Sequence, residues 1–189
     1  MNRKQFLLLI ALGLFMDCFS QIPLAFEKED LTFEIMEDVF VVSGLYYFHS
    51  KPQKQVHLRY PFPTDSIYGK AFNINVQYAN SGEPIEFFMS SDSSYIAFRV
   101  VADREKPVLI GYHQQLKTNE ARYILTTTQS WKQVLKQAHF KLLTSPELVI
   151  KSFSYPPDVT TIIGENKLYL WQKENFMPDR DFEILFEPL

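Results

Sequence analysis

Residues 119–143 read NEARYILTTTQSWKQVLKQAHFKLL, and they bear directly on whether the fold is helical or built from strands. Tyr123–Thr127 is rich in residues that favour strands. Two interpretations of the next segment stay open. In the first, a Ser130-x-x-Gln133 capping box begins a helix whose apolar stripe is Trp131, Val134, Leu135 and Ala138. In the second, Trp131 closes the end of a sandwich and Ala138–Leu142 is a strand. We predict a strand, a short helical turn near residues 131–136 and then a second strand.

Alternation of apolar and polar residues extends along the rest of the chain. It is clearest in Phe72–Tyr78 (FNINVQY), and it recurs at 31–35, 56–60, 96–100, 108–112 and 182–186. Such runs predict half-buried strands, and turn-forming residues such as Asn80-Ser81-Gly82 separate them. Val39–Phe48 is more continuously apolar and predicts a central strand, with Ser43-Gly44 as a bulge or bend. The sequence therefore predicts an all-β fold, an antiparallel β-sandwich, with a barrel-like closure as the alternative.

The first 20 residues have the pattern of a signal peptide. Arg3 and Lys4 precede an apolar run at Phe6–Phe15, and small residues before Gln21 predict cleavage there. We expect residues 21–189 to form a single β-sandwich domain that a bacterium exports to the periplasm or the extracellular space. A lipid anchor at Cys18 is less favoured, because the charged Asp17 precedes it. The apolar run is too short for a spanning helix, so no transmembrane segment is expected in the mature chain.

Composition and motifs disfavour several classes of function. A net charge of −3 gives no basic field for nucleic acid. Cys18 is the single cysteine and lies in the leader, so disulfides and a thiol nucleophile are not expected in the mature chain. Serine-hydrolase motifs and phosphate-binding glycine loops are absent from the sequence. No cofactor, metal or catalytic residue is predicted, since no ligand spacing relates the histidines, which are His49, His57, His113 and His139.

The best candidates for contact with a ligand or partner are aromatic or basic, and they are Tyr46, Tyr47, Phe88, Arg122 and Trp131. In Tyr46-Tyr47 and in Phe87-Phe88, neighbouring side chains point to opposite faces of a strand, so one of each pair leaves the main core. Packing at the rim of the core is the simpler interpretation of these residues. For Arg122 we expect a salt bridge with an acid such as Glu120 or Asp158, or a cation–π contact with Trp131.

Two patterns in roughly the last 70 residues are similar to a known group of proteins. The first is Tyr123-Ile124-Leu125-x-Thr127, followed by Trp131 and Ala138-x-Phe140. The second is Trp171, followed by Asn175-Phe176-x-Pro178-x-x-Asp181-Phe182. Together they resemble uncharacterised β-sandwich domains that bacteria export. The resemblance implies a fold and a compartment, and no activity accompanies it.

Three hypotheses for function follow from these features. We favour a non-catalytic structural or protein-interaction module of the bacterial envelope, which binds an envelope partner through a sheet edge or an aromatic surface. The alternative is a binder or carrier of a small apolar ligand or a glycan. A hydrolase with catalytic residues dispersed over distant strands is the third hypothesis.

Overall fold

A computed structural model describes residues 24–188, and the predicted signal peptide, its cleavage site and Cys18 lie outside the described residues. The described chain forms thirteen strands and one 3-10 helix at Thr126–Trp131. The strands are β1 (Ala25–Met36), β2 (Val39–His49), β3 (Gln55–Pro61), β4 (Tyr68–Tyr78), β5 (Phe87–Met89), β6 (Tyr95–Val101), β7 (Val108–Leu116), β8 (Glu120–Tyr123), β9 (Leu135–Thr144), β10 (Leu148–Phe153), β11 (Val159–Ile163), β12 (Asn166–Phe176) and β13 (Phe182–Pro188).

These strands form a sandwich with one large and two small sheets. The seven-stranded sheet has the order β11-β12-β9-β1-β2-β7-β4, and the small sheets have the orders β10-β13-β8 and β3-β6-β5. The prediction of an all-β sandwich is confirmed, and the sheets do not close into a barrel. One pairing differs from the predicted antiparallel pattern, because β1 and β9 run parallel at the centre of the large sheet. A parallel pair needs a long connection. Between β1 and β9 the chain forms strands of both small sheets.

The helical turn lies earlier than predicted. It occupies Thr126–Trp131 instead of residues 131–136, and Lys132 ends it with a left-handed φ of 53°. Val134 is exposed, and the chain becomes extended at Leu135. The helical spacing after Ser130 was therefore misleading, because β9 gains backbone hydrogen bonds from both β1 and β12. Tertiary pairing overrides weak local propensity in this segment.

Aromatic side chains from both layers fill the core. The ring of Phe33 stacks on Phe182 at 5.0 Å and on Phe40 at 5.5 Å. Trp171 is fully buried and meets Phe182 edge-on at 4.9 Å. Such pairs add to the stability that burial of their area gives. Much of the high aromatic content therefore builds the interior.

Gly44 lies in regular strand, contrary to the predicted bulge. It pairs with Leu31 inside an unbroken part of the β1–β2 register. A Cβ atom at Gly44 would lie 2.4 Å from the Tyr46 hydroxyl oxygen, because the Tyr46 ring folds back over this position. The glycine thus makes room for a buried ring.

Candidate interaction surface

The outer face of the β3-β6-β5 sheet carries exposed aromatic and basic side chains. β5 is one of the two edge strands of this sheet, and β3 is the other. Ala97 lies on the middle strand, β6. Phe88 of β5 lies opposite it on one side, and Arg59 of β3 lies opposite it on the other. The small Ala97 side chain is therefore flanked by an aromatic ring and a guanidinium. The Phe88 side chain is 69% exposed, more than any other large hydrophobic residue in the described chain.

A second row of polar groups continues this face. His57 on β3 lies opposite Arg99 on β6, and both are exposed. The Arg59 guanidinium lies 5.1 Å from the centre of the Tyr95 ring, within cation–π range. We call this set the Phe88 surface, and it consists of His57, Arg59, Phe88, Tyr95, Ala97 and Arg99.

A groove of about 580 Å³ lies where β5 begins. Phe87, Phe88 and Arg99 line it together with Pro84 and Glu86. Within the described residues, neither Arg59 nor Arg99 forms a salt bridge, although nine such bridges occur elsewhere. The surface therefore combines apolar contact area with two guanidinium groups that can bind an acidic group.

A serine-rich loop fixes the geometry of the β5–β6 hairpin. The Ser90 hydroxyl donates to the Asp92 carboxylate at 2.7 Å, and the Ser94 amide donates to the same carboxylate at 3.0 Å. These hydrogen bonds lower the pKa of Asp92 to about 2, and the one from the Ser90 hydroxyl has the largest effect. The Ser90 amide also donates to the Tyr95 carbonyl at 3.0 Å, which closes the loop. The loop at residues 90–94 thus connects β5 to β6 and holds Phe88 beside β6.

Tyr46 and Tyr47 point to opposite sides of β2, as the alternation predicts. Tyr46 is only 3% exposed, and its hydroxyl shares hydrogen bonds of 2.8 Å with the hydroxyls of Tyr60 and Tyr123. This candidate binding residue therefore lies in the core, out of reach of a partner. Tyr47 lies on the outer face, where the Lys28 ammonium is 5.0 Å from its ring centre.

The other two candidates, Arg122 and Trp131, contribute to architecture. Arg122 forms a salt bridge with Asp181 instead of Glu120 or Asp158, and its cation–π partner is Tyr68 at 5.7 Å instead of Trp131. Trp131 is half-buried and packs on Phe26 and Phe48 at 5.7 and 5.8 Å. Neither side chain belongs to the Phe88 surface.

Glu29 is a buried acid that no sequence pattern predicted. It is 2% exposed, and it lies opposite Tyr46 across the β1–β2 pair. Its Oε1 atom has no hydrogen-bond partner among residues 24–188. Burial, with a smaller contribution from the charge of Asp30, raises the pKa of Glu29 to about 8. In the sequence, Glu27-Lys28-Glu29-Asp30 looks like a solvated run. A register shift between Phe26 and Lys28 changes the alternation and turns Glu29 inward.

The four histidines lie on four different strands, namely β2, β3, β7 and β9. Within residues 24–188, no three His, Cys, Asp or Glu side chains come together as a set that could hold a metal ion. In the same residues, no helix has the length and hydropathy needed to cross a membrane.

Comparison with known proteins gives likeness in fold only. No family model matches the chain, and no curated protein matches its sequence. A crystal structure from Legionella pneumophila, described as a "putative nutrient binding protein", matches with a TM-score of 0.59 at 14% identity, over 88% of this chain and 68% of the other. An M1 zinc metallopeptidase from Deinococcus radiodurans matches with a TM-score of 0.50 at 8% identity, over 86% of this chain. The match spans only 42% of the metallopeptidase chain.

Proposed function

We propose that this protein is a non-catalytic interaction module of the bacterial envelope that binds a protein partner through the Phe88 surface. The observation that carries the proposal is the 69% exposure of Phe88 at a sheet edge beside two guanidinium groups that form no salt bridge with a described acid. Aromatic and arginine side chains are enriched among residues that dominate protein interfaces. An exposed ring beside unpaired guanidinium groups is a suitable anchor for such an interface.

The partner that fits this surface presents an extended segment. Beyond β5 no further strand is paired in the described sheet, so an extended segment can add to this edge through backbone hydrogen bonds. An apolar side chain of that segment would pack on Phe88. A neighbouring Asp or Glu would bind Arg99 or Arg59.

The envelope location rests on the signal-peptide pattern at residues 1–20. A fusion of these residues to a reporter that is active only after export tests it. Export of the fusion, with cleavage before Gln21, is the expected result. Retention in the cytoplasm would contradict the location without bearing on the Phe88 surface.

A photo-crosslinking amino acid at position 88 tests the proposed surface in native cells. Position 72 provides the matched control, because Phe72 is also an exposed aromatic residue on an edge strand, at 38% exposure, but lies on β4 of the large sheet. We expect a discrete protein adduct from position 88 that Arg99→Glu weakens and that position 72 does not give. Equal adducts from both positions, or none from position 88, would contradict the proposal.

A second candidate is binding of a small apolar molecule or a glycan in the same groove. Its volume of about 580 Å³ lies in the range of small-molecule sites. The description of the Legionella protein as nutrient binding is compatible with this candidate. Ligand-detected NMR with a panel of oligosaccharides and aromatic compounds separates the two candidates. Saturable binding that Phe88→Ser abolishes would favour the small ligand over a protein partner.

A further inference from the structure

One end of the sandwich opens into a pocket of about 460 Å³, away from the Phe88 surface. We call it the end pocket. It lies where the parallel strands β1 and β9 finish side by side, with Ile35 aligned with Thr144. Leu148 on β10 and Phe186 on β13 form the opposite wall. The pocket is therefore the place where the core between the two layers meets solvent.

The end pocket is acidic. Glu34, Glu37 and Glu147 line it, and no Lys, Arg or His belongs to its lining. None of these three carboxylates takes part in a salt bridge with another described residue. Lys167 is placed opposite Thr144 by the β9–β12 register, but it is exposed and outside the lining. The pocket thus attracts positive charge that its described lining does not supply.

A buried hydroxyl gives independent support for a ligand. Thr144 is the last of the inward-facing residues of β9, it lines the pocket, and it is only 1% exposed. Its Oγ1 atom has no hydrogen-bond partner in the described chain. Buried hydroxyl groups are normally hydrogen-bonded, because an unpaired one loses its interaction with water. A polar group that enters the pocket would supply the missing partner.

We propose that the end pocket binds an organic ammonium ion with an apolar body, such as a primary arylalkylamine. The carboxylates would stabilise the ammonium group, which also donates hydrogen bonds to neutral oxygen atoms such as that of Thr144. Ile35, Leu148 and Phe186 would contact the apolar body. A bare metal ion fits less well, because the described acids and histidines form no set of three that could coordinate one.

Titration of the full chain with 2-phenylethylammonium chloride, followed by NMR, tests this proposal. The side-chain amides of Asn119 and Asn166 line the pocket and serve as reporters. We expect saturable shifts of both amides, and at least about tenfold weaker binding of the neutral isostere 2-phenylethanol, since the charge interaction is lost. No saturable shift, or equal binding of amine and alcohol, would overturn the proposal.

Three variants assign the site. The double change Glu34→Gln with Glu147→Gln should weaken amine binding by about tenfold or more, whereas Lys167→Gln should strengthen it. Glu83→Gln, in an exposed turn outside the pocket, is the control and should leave binding unchanged. Unchanged affinity in the folded double variant would also overturn the proposal. Phe88→Ser should bind the amine as the parent does, so this test and the test of the Phe88 surface can fail separately.

Discussion

At the scale of single residues, two buried acids behave in opposite ways. Asp181 is 7% exposed, and burial alone would raise its pKa, but hydrogen bonds from Arg122 and Thr126 outweigh burial and lower it. The same carboxylate accepts the amides of Leu125 and Thr126 at 3.1 and 3.0 Å. Asp181 thereby joins the start of β13 to Leu125 and the 3-10 helix that follows it. Burial raises the pKa of Glu29, and no hydrogen bond from a described residue to its Oε1 atom offsets that effect.

Replacing Asp181 with alanine should lower the free energy of unfolding by roughly 3 kcal/mol. The change removes the acceptor of the Leu125 and Thr126 amides and the close acidic partner of Arg122. One-third exposure of Arg122 keeps the loss at the low end for a broken buried ion pair. Denaturant unfolding measures this loss. Asp179→Ala is the control, since the Asp179–Arg180 pair is exposed and should contribute less than about 1 kcal/mol. Equal effects of the two changes would contradict the role given to Asp181.

Glu29 should make the protein less stable as pH rises. Its pKa is about 8 in the folded chain, whereas its ordinary value is 4.5. Between pH 4.5 and about pH 8, the folded state therefore keeps a proton that the unfolded state has released. The contribution of Glu29 is complete below pH 4.5 and is lost by about pH 8, a change on the order of 5 kcal/mol. Glu29→Gln, which stays neutral, should remove this decline in thermal melts. A variant that declines as steeply as the parent would refute the assignment.

At the scale of elements, the edges of the large sheet are unequal. The β4 edge has two register irregularities and a left-handed Asn73, features that hinder pairing with another chain. β11, at the opposite edge, has an unbroken register with β12, carries no charge, and has all five residues exposed. Ile162 is 68% exposed. Such an edge is expected to associate with other strands when the protein is concentrated or heated.

Ile162→Lys should therefore raise the temperature at which light scattering begins, because a charged edge strand resists pairing. The melting temperature, followed by circular dichroism, should change little, since the side chain is exposed. Thr127→Lys, at an exposed position of the 3-10 helix, is the matched control and should leave the onset of scattering unchanged. The same onset in the parent and in Ile162→Lys would show that β11 does not drive association.

Strand positions were predictable wherever one face is buried and the other solvated. Phe72–Tyr78 falls within β4, and the alternation at 96–100 falls within β6. β11 was not predicted, because its five residues are all exposed and show no alternation of apolar and polar side chains. The register shift near Glu27 and the parallel pairing of β1 with β9 depend on residues that are distant in sequence. Local sequence patterns therefore do not predict them.

At the scale of the whole molecule, the candidate surface was only partly predictable. Two adjacent aromatic residues indicated that Phe87 or Phe88 leaves the core, and both are exposed, Phe88 at 69% and Phe87 at 38%. Arg59, Arg99 and His57 were not predicted beside it, because their proximity comes from the pairing of β5 and β3 with β6. Most of the large buried side chains of the described sandwich are aromatic, whereas Phe88 is the most exposed of its large hydrophobic residues.

Hydrogen exchange on the complex tests whether the partner binds at the β5 edge. The protein is measured alone and with the partner that crosslinks to position 88, and exchange is compared in peptides that cover 68–78, 85–99 and 159–170. The proposal predicts slower exchange of the β5 amides, Phe87–Met89, with β11 unchanged. Protection confined to β11 or to the β4 edge, with β5 as exposed as in the free protein, would contradict it.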